Sequence, residues 1–154
     1  MTAFPRTRWL AAARRALATA PHRDLGYGDP RGTAELREAL AGYLARARGV
    51  RAHPGRVVVC AGFTHALAVL ADVLGPGPIA VEAYGHALQR SILRDGGTQP
   101  RPVGVDGDGI RADALTGTDR AALLTPAHQF PLGVALAPGR RSGSSRGPGL
   151  PAGT

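Results

Sequence analysis

The stretch VVVCAGFTHALAVLADVLGPGPIAVE, residues 57–82, changes its hydrophobic period twice and thereby indicates the class of fold. It begins within Arg56–Cys60, a short β-branched run typical of strands buried on both faces. After a glycine turn, a helix is predicted over Thr64–Leu74, and a Gly/Pro turn then leads to a second strand, Ile79–Glu82. Strands that alternate with helices in this way predict an α/β fold with a mainly parallel sheet flanked by helices.

Two helices are predicted upstream of this stretch. The first, Trp9–Ala20, is rich in alanine and arginine and carries apolar residues near helical spacing. A turn-rich segment follows, LGYGDPRG at residues 25–32. The second helix, Ala34–Arg48, has one apolar stripe, with Thr33 as its predicted N-cap and Gly49 at its C-terminal end.

The alternation of helices and strands continues downstream and then stops. Residues 1–138 are predicted to form one partial domain. Residues 139–154 are rich in Gly, Ser, Pro and Arg and have almost nothing to bury, so a disordered tail is expected. The predicted downstream elements are a helix at Ala87–Arg94, a strand near Pro102–Val105, a loop with a short helix over 107–115, and a strand at Ala121–Thr125.

The composition argues against several functional classes. The net charge of +8 comes from arginine alone, because the chain contains no lysine. The arginines are spread along the chain without a helix-turn-helix pattern, so direct DNA binding is not expected. The single cysteine, Cys60, excludes an internal disulfide and gives no metal-ligand cluster. No apolar run approaches the roughly 20 residues of a membrane span, and no secretory signal is indicated, so a cytoplasmic location is expected.

The glycine turn after the run Arg56–Cys60 is a candidate anion site. Gly62 between a buried run and a helix would let the backbone N–H groups of Gly62, Phe63 and Thr64 face an anion at the helix N-terminus. The Thr64 hydroxyl would be a further donor. Many α/β units turn at a glycine without a ligand, and the pattern is neither a dinucleotide fingerprint nor a P-loop, so both alternatives stay open.

Two histidines lie just beyond predicted strands, where open α/β sheets usually place their ligands. His86 follows the strand ending at Glu82, and His128 follows the strand ending at Thr125. Either histidine could equally be an ordinary loop residue. The chain has no GxSxG elbow and no zinc-ligand spacing among its histidines, so hydrolase and zinc chemistry are not indicated.

Five stretches then occur in an order and spacing that resemble one family. They are LGYGDPRG followed by TAELREALAGYLARARGV, VVVCAGFTHALAVLADVL, IAVEAYGHALQRSIL, PVGVDGDGI and LLTPAHQFPLGVAL. Together they resemble the effector domain of MocR-type regulators of the GntR superfamily, over about residues 4–138. Such regulators fuse a winged helix-turn-helix to a fold type I aminotransferase-like domain. The resemblance therefore implies the N-terminal part of a large domain that binds pyridoxal 5'-phosphate (PLP).

The resemblance also implies roles for two groups of residues. Gly62, Phe63 and Thr64 match the turn that holds the cofactor phosphate, in agreement with the helix N-terminus argument. His86 falls where the family usually has an aromatic residue stacked on the pyridine ring, and an imidazole can stack as well.

Four further positions are implied to lie near the cofactor or its substrate. His128 and Gln129 match the region beside the pyridine ring and its phenolic oxygen. Tyr27 and Gly28 lie in the segment that borders the substrate pocket in related aminotransferases.

The chain also departs from the family pattern. Fold type I enzymes bind PLP through a lysine, and a chain without lysine cannot form that bond. PLP binding is therefore expected to be non-covalent at best, no catalytic residue is assigned, and the chain alone is expected to be inactive. The resemblance begins almost at Met1 and breaks at Arg140-Arg141, so neither a DNA-binding domain nor the later half of the fold is expected within the chain.

Three functions fit this resemblance. The motif TPAHQFPLG favours part of a transcriptional regulator over part of a true PLP-dependent aminotransferase, whose corresponding loop more often has an NPTG-type sequence. The third is a non-catalytic dimerisation module. Fold type I domains dimerise, so a homodimer or pairing with a related full-length protein is the expected partnership.

Overall fold

The computed structural model describes residues 4–144, which divide after Cys60 into two compact units. The first unit contains two helices, α1 (Arg6–Thr19) and α2 (Ala34–Arg48), with 3₁₀ helices at His22–Leu25 and Pro54–Arg56. Helix α2 has the predicted bounds because its end signals are local. The Thr33 hydroxyl accepts a hydrogen bond from the Leu36 N–H at 3.4 Å, and Gly49 closes the helix in the left-handed conformation.

An ion-pair cluster holds the turn-rich segment against α2. The Asp29 carboxylate accepts hydrogen bonds from the backbone N–H of Arg31 at 2.9 Å and from its guanidinium Nη2 at 2.7 Å. Arg37 on α2 adds a third contact at 3.2 Å. Hydrogen bonds from Arg31 are the main reason that the pKa of Asp29 lies far below its ordinary value. The cluster explains why a segment rich in glycine still has a defined path.

The predicted strand at Arg56–Cys60 is wrong. Its first residue ends a 3₁₀ helix, and the remaining residues are extended without belonging to a sheet. The Val59 N–H does donate to the Arg31 carbonyl oxygen at 2.8 Å, but no described strand pairs with the run. A β-branched sequence becomes a strand only where a neighbouring strand accepts its hydrogen bonds. Val58 is accordingly 54% exposed.

The second unit has the predicted α/β architecture. Its parallel sheet has the strand order β2-β1-β5, so that β1 is paired on both edges. A small antiparallel hairpin, β3 with β4, follows β2. The elements are α3 (Phe63–Leu74), β1 (Gly77–Glu82), α4 (Ala87–Asp95), β2 (Thr98–Val103), β3 (Val105–Asp106), β4 (Gly109–Ile110), a 3₁₀ helix at Ala112–Ala114, β5 (Ala121–Leu123) and α5 (Pro138–Ser144).

Alternation along β1 divides the core into two clusters. Ile79 and Val81 point to one face, where they pack with buried residues of α3 and α4. Ala80 points to the other face and packs with Ile110 of the hairpin and with Leu136. By the same alternation, the next residue on that second face is Glu82.

Close packing of α3 on α4 depends on a glycine. A Cβ atom at Gly96, just after α4, would come within 2.6 Å of the Ala71 Cβ on α3. That separation is shorter than van der Waals contact, so a side chain here would force the two helices apart. Ala71 is fully buried at this contact.

Strand β2 begins earlier than predicted and contains two prolines. It runs from Thr98, whereas the expected strand began at Pro102. Proline is compatible with this position because β2 is an edge strand of the three-stranded sheet. The segment predicted as a loop with a short helix contains that helix and, before it, the strand β4.

The expectation of a disordered tail is wrong for residues 139–144, which continue helix α5. Arg140 anchors this helix to the hairpin. Its guanidinium Nη1 donates to the Asp106 carboxylate at 2.6 Å and to the carbonyl oxygens of Gly109 and Ile110 at 3.0 and 3.1 Å. The Arg140 side chain thus helps to hold a segment whose composition buries little apolar surface. Residues 145–154, the rest of the predicted tail, lie outside the described residues.

No helix within residues 4–144 is both long enough and apolar enough to cross a membrane.

The ion pair between Arg101 and Asp119 joins β2 to the segment before β5. The Asp119 side chain is only 5% exposed, and it also accepts a hydrogen bond from the Thr116 N–H at 2.8 Å. The hydrogen bond from Arg101 is the main reason that the pKa of Asp119 falls to about 2.

We expect Asp119→Asn to lower the free energy of unfolding at neutral pH by about 2 kcal/mol. This is the free energy that corresponds to the difference between the pKa of Asp119 in the unfolded and folded states. Because the folded-state pKa is depressed, this stability is complete above the unfolded pKa of about 4 and is lost as the pH falls through about 2. Urea unfolding at neutral and acidic pH measures it. Asp113→Asn is the matched control. Its ion pair with Arg111 is exposed to solvent, with the Asp113 side chain 65% and the Arg111 side chain 56% exposed, and should contribute little stability. Equal losses in both variants would contradict the assignment.

Candidate functional site

A cleft opens at the carboxyl end of β1 in the second unit. Parallel sheets commonly bind ligands at this edge, because helices begin and loops diverge there. Helix α4 begins a few residues after β1, with His86 as its N-cap residue. The residues lining the cleft are Val81, Glu82, Tyr84, Gly85, His86, Gln89, Arg90, Leu123, Thr125 and Phe130.

The Glu82 carboxylate lies inside the protein at this edge, with the residue only 8% exposed. One oxygen accepts a hydrogen bond from the Thr125 N–H at 3.1 Å. The other accepts from the Thr125 hydroxyl, and from the Gln129 amide at 3.4 Å. Three donors on the segment after β5 therefore converge on one carboxylate at the end of β1.

The Gln129 side chain is 1% exposed. It forms hydrogen bonds with the backbone of its own loop and of the segment before α4. Its amide nitrogen donates to the carbonyl oxygens of Phe130 at 2.7 Å and Tyr84 at 3.0 Å. Its amide oxygen accepts from the Leu132 N–H at 3.3 Å. The Phe130-Pro131 peptide bond within this loop is cis. The position beside a cofactor ring that the resemblance implies for Gln129 stays a prediction, and its hydrogen bonds are with the protein's own backbone and with the Glu82 carboxylate.

An aromatic pair forms one wall of the cleft. The imidazole of His86 and the ring of Phe130 are stacked, with their centroids 4.4 Å apart and their planes 5° from parallel. Phe130 covers one face of the imidazole, so a planar ligand ring can stack only on the opposite face. His86 is the N-cap residue of α4 and lies at the carboxyl edge as predicted.

Arg90 supports the same wall from within α4. Its Nη2 donates to the carbonyl oxygens of Glu82 at 2.9 Å and Ala83 at 2.6 Å. These carbonyls lie at the end of β1 and just after it, so the guanidinium is a hydrogen-bond donor to the backbone where the strand ends.

The Gly62-Phe63-Thr64 turn has the geometry of an open helix N-terminus. Gly62 precedes α3 with φ +155° and ψ 179°, a conformation that side-chain-bearing residues rarely adopt. A Cβ placed on Gly62 would meet no other atom within 4 Å, so the space beside the turn is open. The first N–H groups of α3 have no acceptor within the helix. The Ala61 N–H donates to Nδ1 of His65 at 3.2 Å, which pins the start of the turn.

The remaining predicted site residues are exposed. His128 lies on the surface of the loop next to the buried Gln129. Tyr27 and Gly28 belong to the first unit, where Tyr27 is fully exposed and Gly28 lines a shallow hollow beside Asp29. Their predicted ligand contacts stay predictions.

The cleft also contains four residues that were not predicted as site residues from the sequence: Glu82, Arg90, Thr125 and Phe130. An acidic residue that ends an otherwise apolar strand was the available signal for Glu82. No comparable signal marks Phe130, because its importance comes from a contact with a residue 44 positions earlier. Among the described residues, no group of three or more acidic, histidine or cysteine side chains could hold a metal ion.

Comparison with known proteins now identifies the family. Residues 2–129 match the family described as aminotransferase class I and II. This chain belongs to that family. The aminotransferase-like domain also resembles curated regulators at 31–35% identity, of which it spans 25–30% of the length.

Two of these regulators show the relationship. The pyridoxine biosynthesis transcriptional regulator PdxR of Corynebacterium glutamicum is 33% identical over 87% of this chain and 29% of its own length. The probable rhizopine catabolism regulatory protein MocR of Rhizobium meliloti is 35% identical over 87% of this chain and 28% of its own. The predicted resemblance to MocR-type regulators is confirmed.

Solved aminotransferase structures confirm the fold class. An archaeal alanine:glyoxylate aminotransferase superimposes with a TM-score of 0.78 at 27% identity, over 93% of this chain and 38% of that chain. The α-aminoadipate aminotransferase LysN of Thermus thermophilus, complexed with N-(5'-phosphopyridoxyl)-L-leucine, has a TM-score of 0.73 at 27% identity. That match covers 90% of this chain and 36% of LysN.

We expect Gln129→Leu to destabilise this aminotransferase-like chain by about 1–3 kcal/mol, because it leaves the partly buried carbonyl oxygens of Tyr84 and Phe130 without this donor. The urea midpoint measures the change. His128→Leu makes the same substitution at the exposed neighbouring position and should shift the midpoint little. A larger loss of stability from His128→Leu than from Gln129→Leu would contradict the assignment of Gln129 as the residue that stabilises the loop.

Proposed function

We propose that this chain is part of the PLP-binding, aminotransferase-like effector domain of a MocR-type transcriptional regulator, and that it binds the cofactor without a covalent bond. The observation that carries the proposal is the cleft at the carboxyl end of β1, where helix α4 begins and His86 forms part of the lining. The identity to curated regulators, 31–35%, exceeds the 27% to the two aminotransferases named above. A regulatory role also favours a cytoplasmic location.

The residues present fit the phosphate of PLP. An anion beside Gly62 would meet the unpaired N–H groups at the start of α3 and the positive end of the helix dipole. The Thr64 hydroxyl, exposed in the first turn, would add a donor. The open space beside Gly62 is what close approach of a phosphate to the backbone requires.

The residues present also fit the ring of the cofactor. The face of the His86 imidazole that Phe130 leaves uncovered can stack on a pyridine ring. His128, on the exposed side of the loop, is the proposed neighbour of the ring's polar substituents, with Gln129 beside it. Tyr27 and Gly28 are proposed to border the bound ligand.

Covalent chemistry would need a lysine from outside these 154 residues, since none is present. In fold type I enzymes, PLP supplies an electron sink for carbanions when it is bound through such a lysine. This chain's residues can bind and orient the group but cannot anchor it. We therefore propose ligand sensing, in concert with a DNA-binding domain, over transamination by this chain.

We expect the 154-residue chain to bind PLP reversibly in isothermal titration calorimetry. Thr64→Val should raise Kd by about tenfold for PLP, because one hydrogen bond to a charged phosphate is lost. Thr7→Val makes the same change on the exposed surface of α1 and should leave Kd unchanged. Borohydride reduction followed by mass spectrometry should attach no pyridoxyl group to a side chain.

The absence of PLP binding by the folded chain would overturn the proposal. PLP binding that Thr64→Val leaves unchanged would place the ligand away from the Gly62 turn.

We also propose that a second copy or a related full-length protein pairs with this chain. Helix α3 exposes Val69, Leu70 and Val73, the last by 77%. Exposed apolar surface of this kind favours association.

Sedimentation equilibrium is expected to show a mass that rises with protein concentration, and Val73→Asp should shift it toward the monomer because a charge cannot be buried in an apolar contact. Val50→Asp, at a 46% exposed position outside helix α3, is the control. A monomer at every concentration would contradict pairing between copies.

A further inference from the structure

Glu82 is a buried acidic residue for which the proposed binding of phosphate and ring provides no role. It ends the central strand and is 8% exposed. Burying a carboxylate is costly unless its oxygens are hydrogen-bonded. The donors to this carboxylate come from residues 125–129, more than 40 positions away in the chain.

These donors connect the carboxylate to both members of the aromatic wall. Through Thr125 it holds the segment that leaves β5, and through Gln129 it holds the loop that carries Phe130. The same Gln129 amide donates to the Tyr84 carbonyl, two residues before His86. The two stacked rings thus lie on segments that share one hydrogen-bond network centred on Glu82.

The network suits positioning better than direct ligand contact. Both Glu82 oxygens are directed at protein donors, and the Gln129 amide is engaged with carbonyl oxygens on each side of the cleft. Buried networks whose members are all satisfied give one defined arrangement of the segments they join.

We propose that Glu82 is a positioning residue that fixes the loop after β5. In this position Phe130 covers one face of the His86 imidazole and leaves the other face free for a ligand ring. The consequence for ligand binding rests on the proposed function, because the ring that stacks on His86 is the pyridine ring of PLP. The carboxylate acts through Thr125 and Gln129 and does not contact the ligand itself.

Glu82→Gln tests this proposal on the full chain. The variant keeps the side-chain shape but replaces one accepting oxygen with a donor facing donors, so the loop should loosen. Hydrogen exchange should accelerate at the N–H groups of Thr125, Leu132 and Gly133, whose acceptors belong to the network. Glu38→Gln, the same change at an exposed position on α2, is the matched control and should alter none of these rates.

Two ligands distinguish an effect on the aromatic wall of His86 and Phe130 from an effect on the turn at Gly62. Glu82→Gln should weaken PLP binding by about tenfold, the effect of one disturbed buried hydrogen bond. The affinity for inorganic phosphate, which needs only the turn at Gly62, should stay unchanged. General unfolding would lower the affinity for PLP and for inorganic phosphate equally.

If Glu82→Gln fails to fold, Thr125→Val gives the milder test. It removes only the hydroxyl donor to Glu82 and should produce the same pattern at smaller amplitude. Unchanged exchange at Leu132 and Gly133 in a folded variant would overturn the positioning role, whether or not PLP binds. If wild-type chain binds no PLP while the exchange rates respond as expected, the proposed function fails and the positioning of the loop stands.

Discussion

The pairing of β1 on both edges is the constraint from which the rest of the second unit follows. Parallel ladders to β2 and β5 hold the register of the strand, because a shift by one residue would turn Ile79 and Val81 away from the helices. With that register held, Glu82 must point toward the loop after β5. Thr125 and Gln129 then donate hydrogen bonds to the carboxylate, and the aromatic wall of His86 and Phe130 lies on the segments that these hydrogen bonds join.

The geometry separates binding from covalent chemistry. A phosphate at a helix N-terminus is held largely by backbone N–H groups, which are present whatever the side chains are. A ring can be held by stacking, and an imidazole serves this purpose as other aromatic rings do. The covalent bond alone requires one specific side chain, a lysine, which this chain does not contain. The residues present are therefore compatible with the proposed non-covalent binding, whereas the covalent bond would need a lysine from outside these 154 residues.

Hydrogen bonds from arginine organise segments that bury little apolar surface. Asp29 holds the glycine-rich turn before α2 through Arg31 and Arg37, and Asp106 holds α5 through Arg140. Guanidinium groups suit this use because their several N–H donors reach a carboxylate and backbone carbonyls together. The high arginine content is thus in part structural.

The sequence by itself determined helices α1 to α4, the parallel α/β class and the positions of His86 and the Gly62 turn. Those features depend on signals within a few residues, such as the Thr33 cap, the Gly49 terminus and the glycine before α3. The family resemblance added the proposed cofactor, which no local pattern specifies.

Only the tertiary structure decided which extended runs became strands and which side chains met in the cleft. Arg56–Cys60 has strand-forming residues but lacks a described neighbour, whereas the short β5 is a strand because β1 accepts it. The contacts of Glu82 with Thr125 and of His86 with Phe130 join residues more than 40 positions apart. Such contacts depend on how the loops fold back over the sheet, and that path is set by packing between distant segments rather than by the local sequence.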